Sequence, residues 1–240
     1  MANLPFFYQD TELQTEANLA LTEETAKHIV QVLRKKEGDL FILNNGKGQS
    51  AEATIIAADK KRCSVRLSKV IQHQKPTYGL HLCVAFTKNA SRNEWLLEKA
   101  AELGVQSITP IISARTEREK FRADRANNIL ISAMLQSQQY FLPALHSPSS
   151  MQQILEFHKE TEQKFMAHCD ENFERKAINN ILKPKKDTVL LIGPEGDFTP
   201  EEIELFSKND FNGVILCQQR LRTETAAMAV CAYFNLINND

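Results

Sequence analysis

The sequence predicts an α/β protein: a parallel sheet with helices on both faces, preceded by a small β-rich domain. Strand-like apolar runs alternate with helix-period segments from Leu80 onward, the rhythm of a helix-covered parallel sheet. Those runs, Leu80–Phe86 and Thr188–Ile192 among them, are nearly continuous in hydrophobicity, as strands buried on both faces are. Before them, short alternating segments flank Asn44-Asn45-Gly46-Lys47-Gly48, whose glycines accept the positive φ of a tight hairpin turn.

Taken in order, Thr22 caps a helix over Glu23–Leu33, with Ile29, Val30, Val32 and Leu33 on its apolar face. Gly38 and Asp39 turn the chain into a strand at Leu40–Leu43. Alternating segments at Ala51–Ala57 and Cys63–Val70 complete a small barrel or rolled sheet. Gln72–Tyr78, polar and carrying Pro76, reads as a linker, which places the domains at residues 1–73 and 74–240. Ser91 with Glu94 three residues on reads as a capping box, ahead of Trp95, Leu96, Lys99, Ala100 and Leu103 at helical spacing. A strand at Ser107–Ile112, a long helix at Arg122–Gln139, a shorter one at Met151–Lys159 and a short strand at Lys164–Ala167 follow. Thr188–Ile192 is a buried strand ending in Gly193, and Thr199-Pro200-Glu201-Glu202 is a second capping box with proline in the first turn. Gly213–Leu216 is the last strand and Thr223–Ile237 the last helix.

Composition bounds the function classes. Of 240 residues, 42% are hydrophobic and 25% charged, which suits a packed core. No apolar run approaches the ~20 residues that span a bilayer, and Met1–Asp10 lacks a basic start followed by an apolar stretch. A cytoplasmic protein with no membrane association is the expectation. The five cysteines (Cys63, Cys83, Cys169, Cys217, Cys231) are scattered and never spaced C-x-x-C, so neither a disulfide framework nor a metal site is expected. Lys27–Lys75 holds 11 Lys and Arg against four Asp and Glu, whereas residues from Pro76 onward hold 18 against 21. That asymmetry fits a local anionic partner, and equally the ordinary basic surplus of a short β domain.

Ligands of open α/β sheets bind beyond the carboxyl ends of the strands. Two loops leave that edge: Gly193-Pro194-Glu195-Gly196-Asp197-Phe198-Thr199, and Cys217–Arg222 leading into Thr223-Glu224-Thr225-Ala226. Glycine and proline in the first loop permit close backbone approach to a ligand, or serve a turn that needs positive φ. Glu224 in the first helical turn suits the helix dipole. Arg222, just before that helix, is badly placed for the dipole; it binds an anion or makes a surface ion pair. Among six histidines, His168 alone ends a strand at this edge. G-x-x-x-x-G-K-[ST], G-x-G-x-x-G and G-x-S-x-G are all absent, which argues against a phosphate loop, a dinucleotide fingerprint and a hydrolase elbow.

Leu190–Glu202 (L-L-I-G-P-E-G-D-F-T-P-E-E) followed by Leu221–Ala226 (L-R-T-E-T-A) closely resembles the SPOUT superfamily of methyltransferases, and more specifically the RsmE family, which methylates uridine N3 in 16S ribosomal RNA. Lys88, Arg92 and Glu94–Val105 resemble the family's first catalytic segment, and His28–Arg34 with Asn45–Gly48 its PUA-like N-terminal domain. The resemblance implies a trefoil-knotted sheet, S-adenosylmethionine bound bent in the knot, and a homodimer with active sites at the subunit interface. Three stretches depart from the family: Cys217-Gln218-Gln219-Arg220 stands where Gly-Pro-Arg/Lys-Ile/Val is usual, Ser132–Gln139 lacks a carboxylate, a glycine and an arginine, and Leu4-Pro5 stand where a basic residue usually precedes Phe-Phe.

Carried onto this sequence, the resemblance assigns the cofactor to Leu191, Ile192, Gly193, Pro194, Glu195, Gly196, Leu216, Cys217, Leu221, Arg222, Thr223, Thr225 and Ala226. Arg222 is expected to meet the uridine anion, and Glu224 to act as base or to orient Arg222. Arg34, Lys35, Lys36 and Lys47, with Lys88 and Arg92, are expected to grip the RNA of the small ribosomal subunit. Two rivals remain: a non-catalytic RNA-binding or ribosome-assembly factor of the same fold, and a SPOUT methyltransferase acting on transfer RNA.

Overall fold

The computed structural model describes residues 4–59, 61–116 and 121–239. The chain divides into two compact units: residues 1–75 with 131–142, and residues 76–130 with 143–240.

The first unit begins with β1 (Phe6–Tyr8) and β2 (Asn18–Ala20), followed by α1 (Glu23–Lys27). The Thr22 side chain accepts the Thr25 N–H and starts α1, as its residue type predicts. The expected single helix to Leu33 differs: α1 stops at Lys27 and a π-helical turn, His28–Val32, follows. The wider winding buries Ile29 and leaves Val32 exposed, so the apolar face that the 3.6 period assembles is not kept whole. β3 (Leu40–Asn44), β4 (Gln49–Ala58), β5 (Cys63–Leu67) and β6 (Ile71–Gln72) then form a six-stranded mixed sheet in the order β1-β3-β4-β5-β2, with β6 on β4. The β3–β4 hairpin turns as predicted, with Gly48 at φ +90° and its missing Cβ leaving room for the Phe141 ring. Phe7, Phe41, Leu43, Ile55 and Val65 form the core of this unit. Residues 131–142 pack with it: Leu142 N–H donates to Gly46 O at 2.8 Å, and Tyr140 stacks on His73 with centroids 3.4 Å apart.

The second unit carries β7 (Leu80–Val84), α2 (Ala90–Glu102), β8 (Ser107–Ile112), α3 (Ala123–Gln136, whose last turns enter the first unit), β9 (Ala144–Leu145), β10 (Ser149–Ser150) and α4 (Met151–Phe157). It continues with β11 (Gln163–Ala167), β12 (Lys176–Ala177), α5 (Ile178–Ile181), β13 (Thr188–Ile192), α6 (Pro200–Ser207), β14 (Asn212–Ile215) and α7 (Thr223–Asn238). The strand order is β10-β8-β7-β13-β11-β14-β12, with β9 on β8, and the pairings are parallel. All five residues of β13 are buried. Val189 and Leu191 share a cluster with Met151 and Ile154 of α4 and with Ile203 and Phe206 of α6. α7 packs on β7, β13 and α2, so helices cover both faces and the predicted α/β class is what the structure has.

One helix start is corrected. α2 is capped by Asn89, whose side chain accepts the Arg92 N–H at 3.2 Å, and not by Ser91. The expected Ser91–Glu94 box does not form because Ser91 lies inside the helix, and Glu94 instead pairs with Arg125 at 2.8 Å. The Thr199–Glu202 box is present as read, with both reciprocal hydrogen bonds.

Candidate active site at the carboxyl edge of the parallel sheet

Ile192 is in register with Val84 and Ala167, and Ala167 with Val214, so the segments after β7, β11, β13 and β14 leave the same edge. The two loops singled out from sequence both start there. β11 separates their parent strands, yet the loops meet: the buried Thr223 hydroxyl donates to Gly193 O at 3.1 Å. Gly193 suits that point, because a Cβ there would lie 3.0 Å from the Phe198 ring and would have to push it aside. The turn closes through Asp197 N–H to Pro194 O at 2.9 Å, with Asp197 at φ +59°. Asp197 tolerates that conformation because its carboxylate accepts Phe198 N–H at 2.8 Å and Cys169 N–H at 2.7 Å.

Arg222 is the N-cap residue of α7, with an exposed side chain that makes no capping hydrogen bond. Among the described residues it forms no ion pair. Glu224, in the first turn of that helix, is 8% exposed. Its Oε1 lies 3.5 Å from Arg92 Nε, while its Oε2 is buried with no hydrogen-bond partner among the described residues. A buried acceptor left so costs roughly 1–3 kcal/mol, a demand that a donor on a bound molecule would meet. Arg92, expected among the RNA-gripping cations, is brought into this site; its Nη1 also donates to Glu195 Oε1 at 3.3 Å.

The remaining expected residues are distributed as follows. Leu191, Ile192 and Gly193 are buried, Pro194 half-buried, Glu195 and Gly196 exposed. Leu216 and Leu221 are half-buried, Cys217 and Thr225 exposed, and Ala226 buried. The Cys217 thiol turns back to Gln219 O at 3.1 Å, giving the atypical stretch its own local closure. His168 is buried, with Nδ1 lacking a partner; burial depresses its pKa, only partly countered by Asp197. Lys88 is exposed on the segment leading to α2. In the first unit, Arg34 (φ +53°), Lys35 and Lys36 line a hollow of about 490 Å³ with Val30, Glu37 and Ala58. Lys35 Nζ donates to Leu40 O at 3.1 Å, and Lys47 Nζ to Asp10 at 2.7 Å, a bond that raises the lysine's pKa. No cluster of three or more metal-ligating side chains occurs among the described residues, and no helix in them is long and apolar enough to cross a membrane.

Sequence reasoning missed Arg115. Its Nη1 donates to Gly196 O at 2.7 Å and to Phe198 O at 3.3 Å, bracing the loop from outside. It missed Asn93 as well, whose side chain ties the segment after β7 to α2 through the backbone N–H and O of Thr87. Arg115 serves backbone 81 and 83 residues away, and Asn93 a segment six residues back; in neither case does the residue type alone reveal the part.

Comparison with known proteins points the same way. The sequence matches the RNA methyltransferase domain family over residues 73–235 and the RNA methyltransferase PUA domain family over residues 21–68. It is 27% identical over 238 residues to the ribosomal RNA small subunit methyltransferase E of Bacillus subtilis, covering 93% of this chain and 92% of that protein. The structure resembles that of a probable rRNA-methyltransferase from Porphyromonas gingivalis with a TM-score of 0.90 at 34% identity, over 98% of each chain. It also resembles a ribosomal RNA small subunit methyltransferase E from Neisseria gonorrhoeae bound to S-adenosyl methionine, with a TM-score of 0.85 at 25% identity, again over 98% of each chain.

Proposed function

Since the chain belongs to the RsmE family of RNA methyltransferases, we propose that it transfers a methyl group from S-adenosylmethionine to N3 of a uridine in 16S ribosomal RNA. The observation that carries this reading is the Thr223–Gly193 hydrogen bond, which gathers both motif loops and the half-satisfied Glu224 at one edge of the sheet.

The residues present fit the cofactor. The backbone of Ile192–Gly196 and Leu216–Leu221 would hold its adenosine and methionine parts, with Thr223, Thr225 and Ala226 of α7 beside them. Glu224 Oε2 would take a hydrogen bond from the bound ligands. When bound, S-adenosylmethionine supplies an electrophilic methyl group on a sulfonium. The chain's residues must then hold the uracil in line with it, accept the N3 proton and stabilise the charge that spreads to the carbonyl oxygens. Arg222, exposed at the mouth of the loop, is assigned to that charge, and Glu224 to the proton. Among the described residues Glu224 pairs with Arg92 and not with Arg222, which supports the role of base over that of orienting Arg222.

Residues 1–73 would grip the RNA through Arg34, Lys35, Lys36 and Lys47, with Lys88 assisting from the catalytic domain at residues 74–240. Such phosphate contacts make affinity fall with salt. The trefoil knot, a homodimer with shared active sites, and a cytoplasmic location among small ribosomal subunits complete the reading. The test is nucleoside mass spectrometry of 16S RNA from cells with and without the gene. The methylated uridine should vanish in its absence and return when the purified chain and S-adenosylmethionine are added to small subunits. Unchanged nucleosides, together with calorimetry showing no cofactor binding, would favour an assembly factor instead, for which the atypical Cys217–Arg220 stretch is the argument.

A further inference from the structure

We propose that Arg92 is a positioning residue for methyl transfer, bridging Glu195 and Glu224 so that the carboxylate of Glu224 faces the substrate in one fixed orientation. The inference rests on the reading of the carboxyl edge as a methyl-transfer site.

Arg92 stands in the first turn of α2, its backbone N–H held by the Asn89 side chain at 3.2 Å. Its Nη1 donates to Glu195 Oε1 at 3.3 Å, and its Nε lies 3.5 Å from Glu224 Oε1. One residue of α2 therefore joins that helix through its side chain to two further parts of the site, the loop after β13 and the first turn of α7. A guanidinium suits this because its planar fork faces two acceptors at once, which an ammonium does not do with fixed geometry. With Oε1 held on the Arg92 side, the only oxygen of Glu224 left to meet a ligand is Oε2, which is buried and partnerless. A carboxylate pinned by one oxygen presents the other at a set angle, as a proton acceptor must.

The same geometry speaks against Arg92 as a phosphate grip. Two carboxylates already engage it, so the local sum of charge is negative. Its side chain is 32% exposed, well below the 70% of Lys47.

Arg92→Ala, Arg92→Lys and Glu224→Gln variants of the full chain test the inference, with small subunits lacking the modification as substrate. Arg92→Ala should lower kcat on the order of 100-fold, the scale of a misplaced reacting group. KM for the RNA and the calorimetric Kd for S-adenosylmethionine should move less than about threefold. Lysine should restore only part of kcat, because it lacks the fork. The Arg92→Ala/Glu224→Gln double variant should be no slower than Glu224→Gln alone, since both substitutions remove one arrangement. A raised KM with unchanged kcat, a shallower salt dependence and full rescue by lysine would make Arg92 a phosphate contact and overturn the proposal. If Arg92→Ala does not fold, a lysine variant with wild-type kcat overturns it equally. A wild-type chain that transfers no methyl group sinks the function reading and this inference with it. Wild-type turnover beside an unimpaired Arg92→Ala sinks this inference alone.

Discussion

The two edges of the parallel sheet are made of similar side chains and treat them in opposite ways. At the amino edge, His81 bonds Ser107 Oγ at 2.7 Å and Asp187 Oδ1 at 3.2 Å, and Asp187 also takes Gly79 N–H at 3.0 Å. His158 is engaged by Cys83 and Thr161, and His146 by Thr109. Serine, histidine and aspartate sit there in a chain of contacts, but Ser107 is 3% exposed and sits at a strand start with its hydroxyl spent. At the carboxyl edge, Glu224 Oε2 and His168 Nδ1 are buried and unmet. Residue types alone do not separate structure from chemistry. The separation lies in whether buried polar atoms are satisfied within the chain.

Substitutions at the two edges should therefore fail differently. The largest effect is expected from Arg222→Ala, which should cut methyl transfer by about a thousandfold or more and leave cofactor affinity by calorimetry nearly unchanged. Normal turnover would erase the contrast between the edges. Next, Asp187→Ala strands His81 Nε2 and Gly79 N–H, and should lower Tm by roughly 5 °C while the folded protein keeps its turnover. A loss of kcat without a loss of Tm would move chemistry to the amino edge.

Taken per pH unit, the smallest effect is a dependence of stability on pH. Burial holds the pKa of His158 down at about 4, against about 6.5 in an unfolded chain. The unfolded state thus binds the extra proton between those values, and stability falls as pH drops from about 6.5 to about 4, by at most about 1.4 kcal/mol per unit. Melting curves across that window should flatten in His158→Gln, whereas the slope should survive Arg222→Ala.

The sequence revealed much of the second unit because its strands are buried on both faces. Thr188–Ile192 and Ser107–Ile112 have the bounds that their apolar runs predict. β1 and β2 went unread: each has three residues, and each exists only through pairing with β3 or β5, far along the chain. The winding at His28–Val32 was hidden for another reason, since its apolar residues satisfy the α-helical period equally well. At the site, the glycine loop and the Arg222–Glu224 pair were legible as motifs at strand ends. The placement of Arg92 was not. Its nearer carboxylate partner lies 103 residues away in sequence, and no local pattern encodes which cation a distant fold will bring to it.

Every strand among the described residues precedes residue 223, where α7 begins. A ribosome making this chain therefore finishes the strands, the Gly193 loop and Arg92 while the codons for Thr223 and Glu224 are still untranslated. On the proposed reading, catalytic competence waits for α7, and a chain halted before residue 223 would carry every described strand without Thr223 and Glu224.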